Sequence, residues 1–251
     1  MKISVQIYSL REAGDLDVQL ALARSCGFTW VETVATHGLT PQAFADKVAA
    51  HGLQVSSMHA ALALLETDIA TVIEACRLTG CPLVVMPWLP MGERSPTAAG
   101  FVALGQRLAA LGDALRAHGV QLAYHNHDFE FLPYEGRTAL EWIFSAATPA
   151  QLGWEADLGW VSRAGADPQV WLDKFADRLV AVHAKDIAPP RMALEEDGWT
   201  TLGQGIVPWV ALLAQLKTRT NLVVFEHDHP VDFASTLRNS HAFLTQHLSN
   251  T

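Results

Sequence analysis

Tyr124-His125-Asn126-His127-Asp128-Phe129-Glu130-Phe131 packs two imidazoles, an amide and two carboxylates into eight residues, directly after the apolar run Gly119-Val120-Gln121-Leu122-Ala123. A short apolar strand that ends in metal-ligand and acid–base side chains is the pattern of an active site at a strand's C-terminal end. The pattern recurs at Glu155 and Asp157, at His183 with Lys185 and Asp186, and at Glu226-His227-Asp228-His229. One polar cluster after a strand is ordinary. Four at the ends of successive apolar strands point to one shared site.

Working outward, short apolar strands alternate with longer amphipathic segments at a spacing of about 30 residues, the length of a βα unit. Strands are expected at Ile3–Tyr8, Trp30–Val34, Gln54–Met58, Leu83–Met86, Gln121–His125, Leu152–Asp157, Leu179–His183 and Leu222–Glu226. Eight is the barrel number, and the near-continuous apolar runs Leu83-Val84-Val85-Met86 and Leu222-Val223-Val224-Phe225 suit parallel strands covered on both faces. Helices are expected at Asp17–Cys26 (closed by Gly27), from Thr40-Pro41 to Gly52, at Thr97–His118, from Asp167-Pro168, at Val207–Lys217 and at Val231–His247. The reading is an α/β protein with a (β/α)8 barrel as one domain over residues 1–251. An open doubly wound sheet would alternate in the same way, but no G-x-G-x-x-G or P-loop pattern follows the first strand. Gly203-Gln204-Gly205 reads as a tight loop.

Composition narrows the function classes. Half of the residues are hydrophobic, and no apolar run reaches membrane-spanning length. The start Met1-Lys2-Ile3-Ser4-Val5 lacks the features of a signal peptide, and Cys26, Cys76 and Cys81 have no metal-ligand spacing, which suits free thiols in a reducing, cytoplasmic setting. The net charge of −9 and the scattered basic residues disfavour nucleic-acid binding.

Side chains two apart on a strand share a face. His125, Asp157, His183 and Glu226 therefore converge at the barrel mouth as two imidazoles and two carboxylates. Such mixed donors suit Mn, Co, Zn or a similar divalent ion, and Mg is also kept open. Glu32 and His59, at the ends of strands two and three, are candidates to hydrogen-bond sugar hydroxyls. Lys185 either contacts substrate oxygens or pairs with Glu155. Trp88 and Trp199 are candidates to line the cleft. Asp186 is expected to order the long loop Ile187–Leu202, itself a candidate lid.

Several words together resemble the sugar phosphate isomerase/epimerase group of the xylose isomerase-like TIM barrels. They are Gly27-Phe28 with Val31-Glu32, Ser57-Met58-His59, the Tyr124–Phe131 run, Asp157-Leu158-Gly159-Trp160, His183-Ala184-Lys185-Asp186, Leu202-Gly203-Gln204-Gly205 and Phe225-Glu226-His227-Asp228. The resemblance implies one divalent ion held at the ends of strands five to eight, commonly by Glu, Asp, His and Glu, with Asp157, His183 and Glu226 in the last three places. The fifth-strand place holds His125, where the better known epimerases have Glu. Those epimerases move a proton between two metal-bound glutamates, and this chain keeps only Glu226. The second acid–base group is then His127, Glu155, Glu130 or His125 itself. A second departure is Trp160, which stands where those epimerases place a substrate-binding His; it either walls a sugar ring or simply packs.

The activity so implied is metal-dependent isomerisation or epimerisation of a small sugar or keto sugar by proton transfer through an enediolate. With a leaving group on the β carbon, the same site would act as a lyase or dehydratase on a 3-keto sugar or keto-inositol. An endonuclease IV-type phosphodiesterase would want more ligands and a basic surface, and a non-catalytic sugar-binding barrel is the remaining alternative. No Arg/Lys cluster is aimed at a phosphate, which favours a non-phosphorylated carbohydrate. Oligomeric state is not legible, although barrels of this type often form homodimers.

Overall fold

The computed structural model describes residues 1–249. Eight parallel strands close on themselves in sequential order: β1 (Lys2–Gln6), β2 (Trp30–Val34), β3 (Gln54–His59), β4 (Leu83–Met86), β5 (Gln121–His125), β6 (Gly153–Asp157), β7 (Leu179–Ala184) and β8 (Leu222–Phe225), which returns to pair with β1. The expected eight-stranded barrel is therefore present, with strand ends moved by a residue or two. The largest change is at β1, which stops at Gln6 because Ile7–Leu10 turns into a 3-10 helix.

The surrounding helices are α1 (Leu16–Ser25), α2 (Pro41–Ala50), α3 (Leu62–Thr67), α4 (Ile69–Thr79), α5 (Ala98–Arg116), α6 (Ala139–Ser145), α7 (Leu158–Arg163), α8 (Pro168–Lys174), α9 (Trp209–Leu216) and α10 (Phe233–Leu248). Their starts follow local chemistry. Thr40, Thr97 and Asp167 cap α2, α5 and α8, and Pro41 and Pro168 occupy first-turn positions where no N–H is needed. Gly80 ends α4 at φ 69°, a left-handed cap that costs other residues a steric penalty. Helix α7 is absent from the sequence reading. It starts immediately after β6, where a loop is expected, because the side chain of Asp157 caps it by accepting the Trp160 N–H at 2.8 Å. No helix among the described residues is long and apolar enough to cross a membrane.

Two cores result. The larger lies between barrel and helices, with Val5, Phe28, Val31, Met58, Tyr124, Trp154 and Phe225 among its fully buried members. The smaller fills the barrel interior with Leu83, Val85, Ala123, Ala181, Leu222 and Val224. This inner plug is what positions the site. Ala123, Ala181 and Val224 face the axis, so alternation turns the residues two further on (His125, His183 and Glu226) to the same axis one layer higher. A register shift between β2 and β3 pairs Val31 with Val55 but Glu32 with Ser57. The extra residue on β3 is a bulge that aligns His59 with the inward Val34 instead of leaving it on the outer face.

The segment after β7 is tied down by Asp186. Its carboxylate accepts from the backbone N–H groups of Ile187, Gly203, Gly205 and Val207 at 2.9–3.1 Å. Gly203-Gln204-Gly205 is the expected tight loop, and a Cβ on Gly205 would fall 2.2 Å from Asp186 Oδ1. Asp186→Ala leaves these buried donors unpaired. It should cost about 2–3 kcal/mol and open residues 187–206 to protease, measured by thermal unfolding and limited proteolysis.

Candidate active site

The axial side chains meet above the inner plug in two tiers. The upper tier holds His125, Asp157, His183 and Glu226, whose potential ligand atoms all lie within 4.8 Å of one another. His183 Nδ1 is 3.2 Å from Glu226 Oε2, and His125 Nε2 is 3.8 Å from Asp157 Oδ2. The expected set is thus brought together from four strand ends. The lower tier holds Glu32, His59 and Glu155. His59 Nε2 is 3.0 Å from Glu32 Oε1 and 2.9 Å from Glu155 Oε2, while His183 Nε2 is 2.5 Å from Glu32 Oε1.

The residues present suit a cation. The buried Asp157 Oδ2 has no hydrogen-bond partner, although it faces an imidazole nitrogen and lies 3.5 Å from Lys185 Nζ. Two imidazole nitrogens and two carboxylates, close enough to share one ion, make a borderline N/O donor set of the kind divalent transition metals accept.

A cavity of about 450 Å³ opens over the upper tier, lined by Tyr8, Val34, His59, Trp88, His125, His127, Trp160, Asp197, Glu226, Asp228 and His229, with Pro87 at one edge. Trp160 and Trp88 both reach it. The His127 ring lies 5.1 Å from the Trp160 ring, and Arg94 sits over Trp88.

Four residues singled out in the sequence stand elsewhere. Glu32 and Glu155 are wholly buried beneath the cavity, occupied by imidazoles. Glu130 is also wholly buried; it accepts from the Tyr124 hydroxyl and the His127 N–H, both at 2.8 Å. Trp199 is buried behind Trp160, with ring centroids 4.8 Å apart. Each is kept from the cavity by the layer above it. Lys185 does not pair with Glu155. Its ammonium lies 2.8 Å from Glu226 Oε2 and 3.0 Å from Asp228 Oδ2, beneath the Trp160 and Trp199 rings. Tyr8 and Asp197 were missed by the sequence reading. Tyr8 is the last residue of the expected first strand but stands on the 3-10 helix that follows β1, and Asp197 arrives from the long loop after β7 with no strand-end signal.

Electrostatics follow from burial. Withdrawal from water raises Asp157 to about 6, against the pull of Lys185 and His183. Burial would raise Glu226 too, but Lys185 and His183 hold it well below the usual carboxylate range. Burial would lower His59, yet Glu32 and Glu155 lift it to about 9. His125 and His127 lack comparable compensation. Burial and neighbouring cations drive His125 well down and His127 to about 3, so both rings are neutral near pH 7.

A sequence profile of the xylose isomerase-like TIM barrel matches residues 20–247, and the chain belongs to that family. Comparison with curated proteins returns no match. Among solved structures, a sugar phosphate isomerase/epimerase from Parabacteroides distasonis superposes with a TM-score of 0.80 at 16% identity, over 96% of this chain and 92% of that one. The IolI protein with a bound zinc atom gives 0.78 at 16% identity, over 99% and 98%. A probable 3-DHS dehydratase, AsbF, from Bacillus anthracis gives 0.72 at 15% identity, over 98% and 99%. These identities establish a shared fold.

Glu130 supplies a test of the loop beneath His127. Burial raises its carboxyl to about 8 from the ordinary 4.5. A carboxyl raised in the folded state binds more protons there than in the unfolded chain, so it removes stability as pH climbs from about 4.5 towards 8. Glu130→Gln should flatten that decline, measured as unfolding temperature against pH. An unchanged slope would show that Glu130 is ionised in the folded protein.

Proposed function

We propose that this chain is a divalent-metal-dependent isomerase or epimerase of a small, unphosphorylated sugar or keto sugar. The observation that carries the reading is the four-donor set of His125, Asp157, His183 and Glu226 at the floor of an aromatic-walled cavity. A zinc-bound neighbour of the same fold supports a metal at such a site. When bound there, a Mn, Co, Zn or Mg ion supplies Lewis-acid stabilisation of negative charge on substrate oxygens.

The chain's own groups supply the rest. Glu226 reaches the cavity as an ionised carboxylate, fit to take a proton from carbon beside a carbonyl. His127 lines it as a neutral imidazole, fit to accept or return a proton. Glu130 holds the His127 backbone in place, and Glu155 and Glu32 act from below, so neither transfers protons to substrate. Trp88, Trp160 and Tyr8 offer flat apolar surface for a sugar ring, with Trp160 fixed between His127 and Trp199. No Lys or Arg lines the cavity among the described residues, which suits a neutral ligand.

One observation favours a lyase as the second reading. The fifth strand presents His125, so the cavity lacks a carboxylate on β5 to mirror Glu226. Loss of a β substituent needs one base and one acid, which Glu226 and His127 provide. The probable dehydratase among the structural neighbours supports this second reading.

Incubation of the metal-loaded protein with keto sugars in deuterated water separates the two. Solvent deuterium at carbon with an unchanged molecular formula supports isomerisation or epimerisation, whereas a new enone absorbance supports elimination. Glu226→Gln should abolish either reaction, and His127→Ala should lower kcat by about 10²–10⁴-fold. Full turnover by Glu226→Gln, or by wild type in excess chelator, would overturn the proposal.

A further inference from the structure

The upper tier is not the only group of donors at the axis. His59, His125, Glu155 and His183 also bring one ligand atom each within 4.8 Å of the others. The two groups share His125 and His183 but approach opposite sides of each ring. His125 turns Nε2 towards Asp157 and Nδ1 towards Glu155 Oε2 at 3.1 Å. His183 turns Nδ1 towards Glu226 and Nε2 towards Glu155 Oε2, also at 3.1 Å.

A neutral imidazole has one lone pair and one N–H. Each shared ring can therefore give its lone pair to one tier only, and its proton must face the other. Two ions that each drew on both rings would need both stripped of their last proton. The tier that receives the protons should be rich in acceptors, and the lower tier is. Glu155 Oε2 lies within 3.1 Å of nitrogens from three imidazoles, and Glu32 Oε1 lies beside the same His183 Nε2. The upper tier opens to the cavity through His125 and Glu226, whereas neither lower carboxylate, Glu32 or Glu155, lines it and only His59 of that tier reaches its floor.

We propose that Glu155 is a positioning residue that fixes the tautomers of both imidazole ligands. It accepts the N–H of His125 at Nδ1 and shares with Glu32 Oε1, the nearer acceptor, the N–H of His183 at Nε2, which aims the lone pairs of His125 Nε2 and His183 Nδ1 at the upper tier and limits the site to one ion. This rests on the metal-site reading above. A carboxylate behind a ligating imidazole also raises the basicity of the ring and blocks its rotation. Glu155 does so alone for His125 and together with Glu32 for His183, from a side chain with no solvent exposure. Its place on β6, two residues before Asp157, couples three of the four donors to one backbone segment.

The test uses the full chain with ¹⁵N-labelled histidine, as wild type and as the isosteric Glu155→Gln. In the metal-free wild type, the nitrogen shifts of the neutral His125 ring should place its proton on Nδ1; in Glu155→Gln the tautomers should mix. Calorimetric titration with Zn²⁺ should give one equivalent for wild type and an affinity about 10–100-fold weaker for the variant. A proton on His125 Nε2 in wild type, two equivalents of bound zinc, or unchanged affinity in a folded Glu155→Gln would each overturn the proposal. If wild type binds no zinc, the metal-site reading falls, while the His125 tautomer still decides the role of Glu155. The wild-type spectrum needs no variant, so a Glu155→Gln that fails to fold leaves the decision intact.

Discussion

Four carboxylates, those of Glu32, Glu155, Asp157 and Glu226, are withdrawn from water at the barrel axis. Burial of an ionised carboxylate without a partner is prohibitively costly, so the fold must surround them with cationic or N–H groups. It does so with three imidazoles from three strands and with the Lys185 ammonium. The charge states of the axial imidazoles follow from this arrangement together with burial. His59, between Glu32 and Glu155, is pushed towards the imidazolium. His125, 5.3 Å away by ring centroid, is pushed towards neutrality by burial first and then by His183, His59 and Lys185. Two rings of the same type in one cluster thus acquire opposite charge preferences.

That cluster is carried by an apolar plug. The small residues Ala123 and Ala181 in the barrel interior leave room above them for the imidazoles of His125 and His183, and Val224 does the same beneath Glu226. From Ala123, Ala181 and Val224 alternation holds to the rim, so two residues of strand convert packing into ligand placement. Where alternation alone would fail, a bulge corrects it: His59 reaches the axis because the β2–β3 register shifts. Asp157 serves two ends at once, with Oδ1 capping α7 through the Trp160 N–H and Oδ2 turned to the cluster. The same hydrogen bond that starts the helix fixes the rotamer of a ligand and sets Trp160 in the cavity wall.

Asymmetry between the two faces of the cluster gives the site a chemical direction. Below, carboxylates accept from imidazoles and no substrate can reach them. Above, the cavity presents Glu226, His127 and aromatic surface. Lys185 spans both Glu226 and Asp228, so the carboxylate assigned to proton transfer is held ionised by a group that itself stays out of the cavity. Such a division between buried support and exposed chemistry allows neighbouring carboxylates in one barrel to behave differently.

The sequence by itself determined the barrel, its eight strands and the convergence of His125, Asp157, His183 and Glu226, because period-two alternation and strand-end chemistry are local signals. It also marked Asp186 as a loop anchor and Thr40-Pro41 as a helix start, for the same local reason. Only the tertiary structure decided which polar side chains face the cavity and which lie beneath it. Glu155 and Asp157 share a strand and a face, and nothing local distinguishes them; depth along the axis, set by the stagger of neighbouring strands, puts one below the imidazoles and the other beside them. Glu130 sits within the densest polar run of the chain, yet a 3-10 turn at Phe129–Phe131 folds it back onto Tyr124. Tyr8 reads as strand but sits on a 3-10 turn, Asp197 carries no periodic signal, and both join the site because closing the cylinder brings the segments after β1 and β7 to the same mouth.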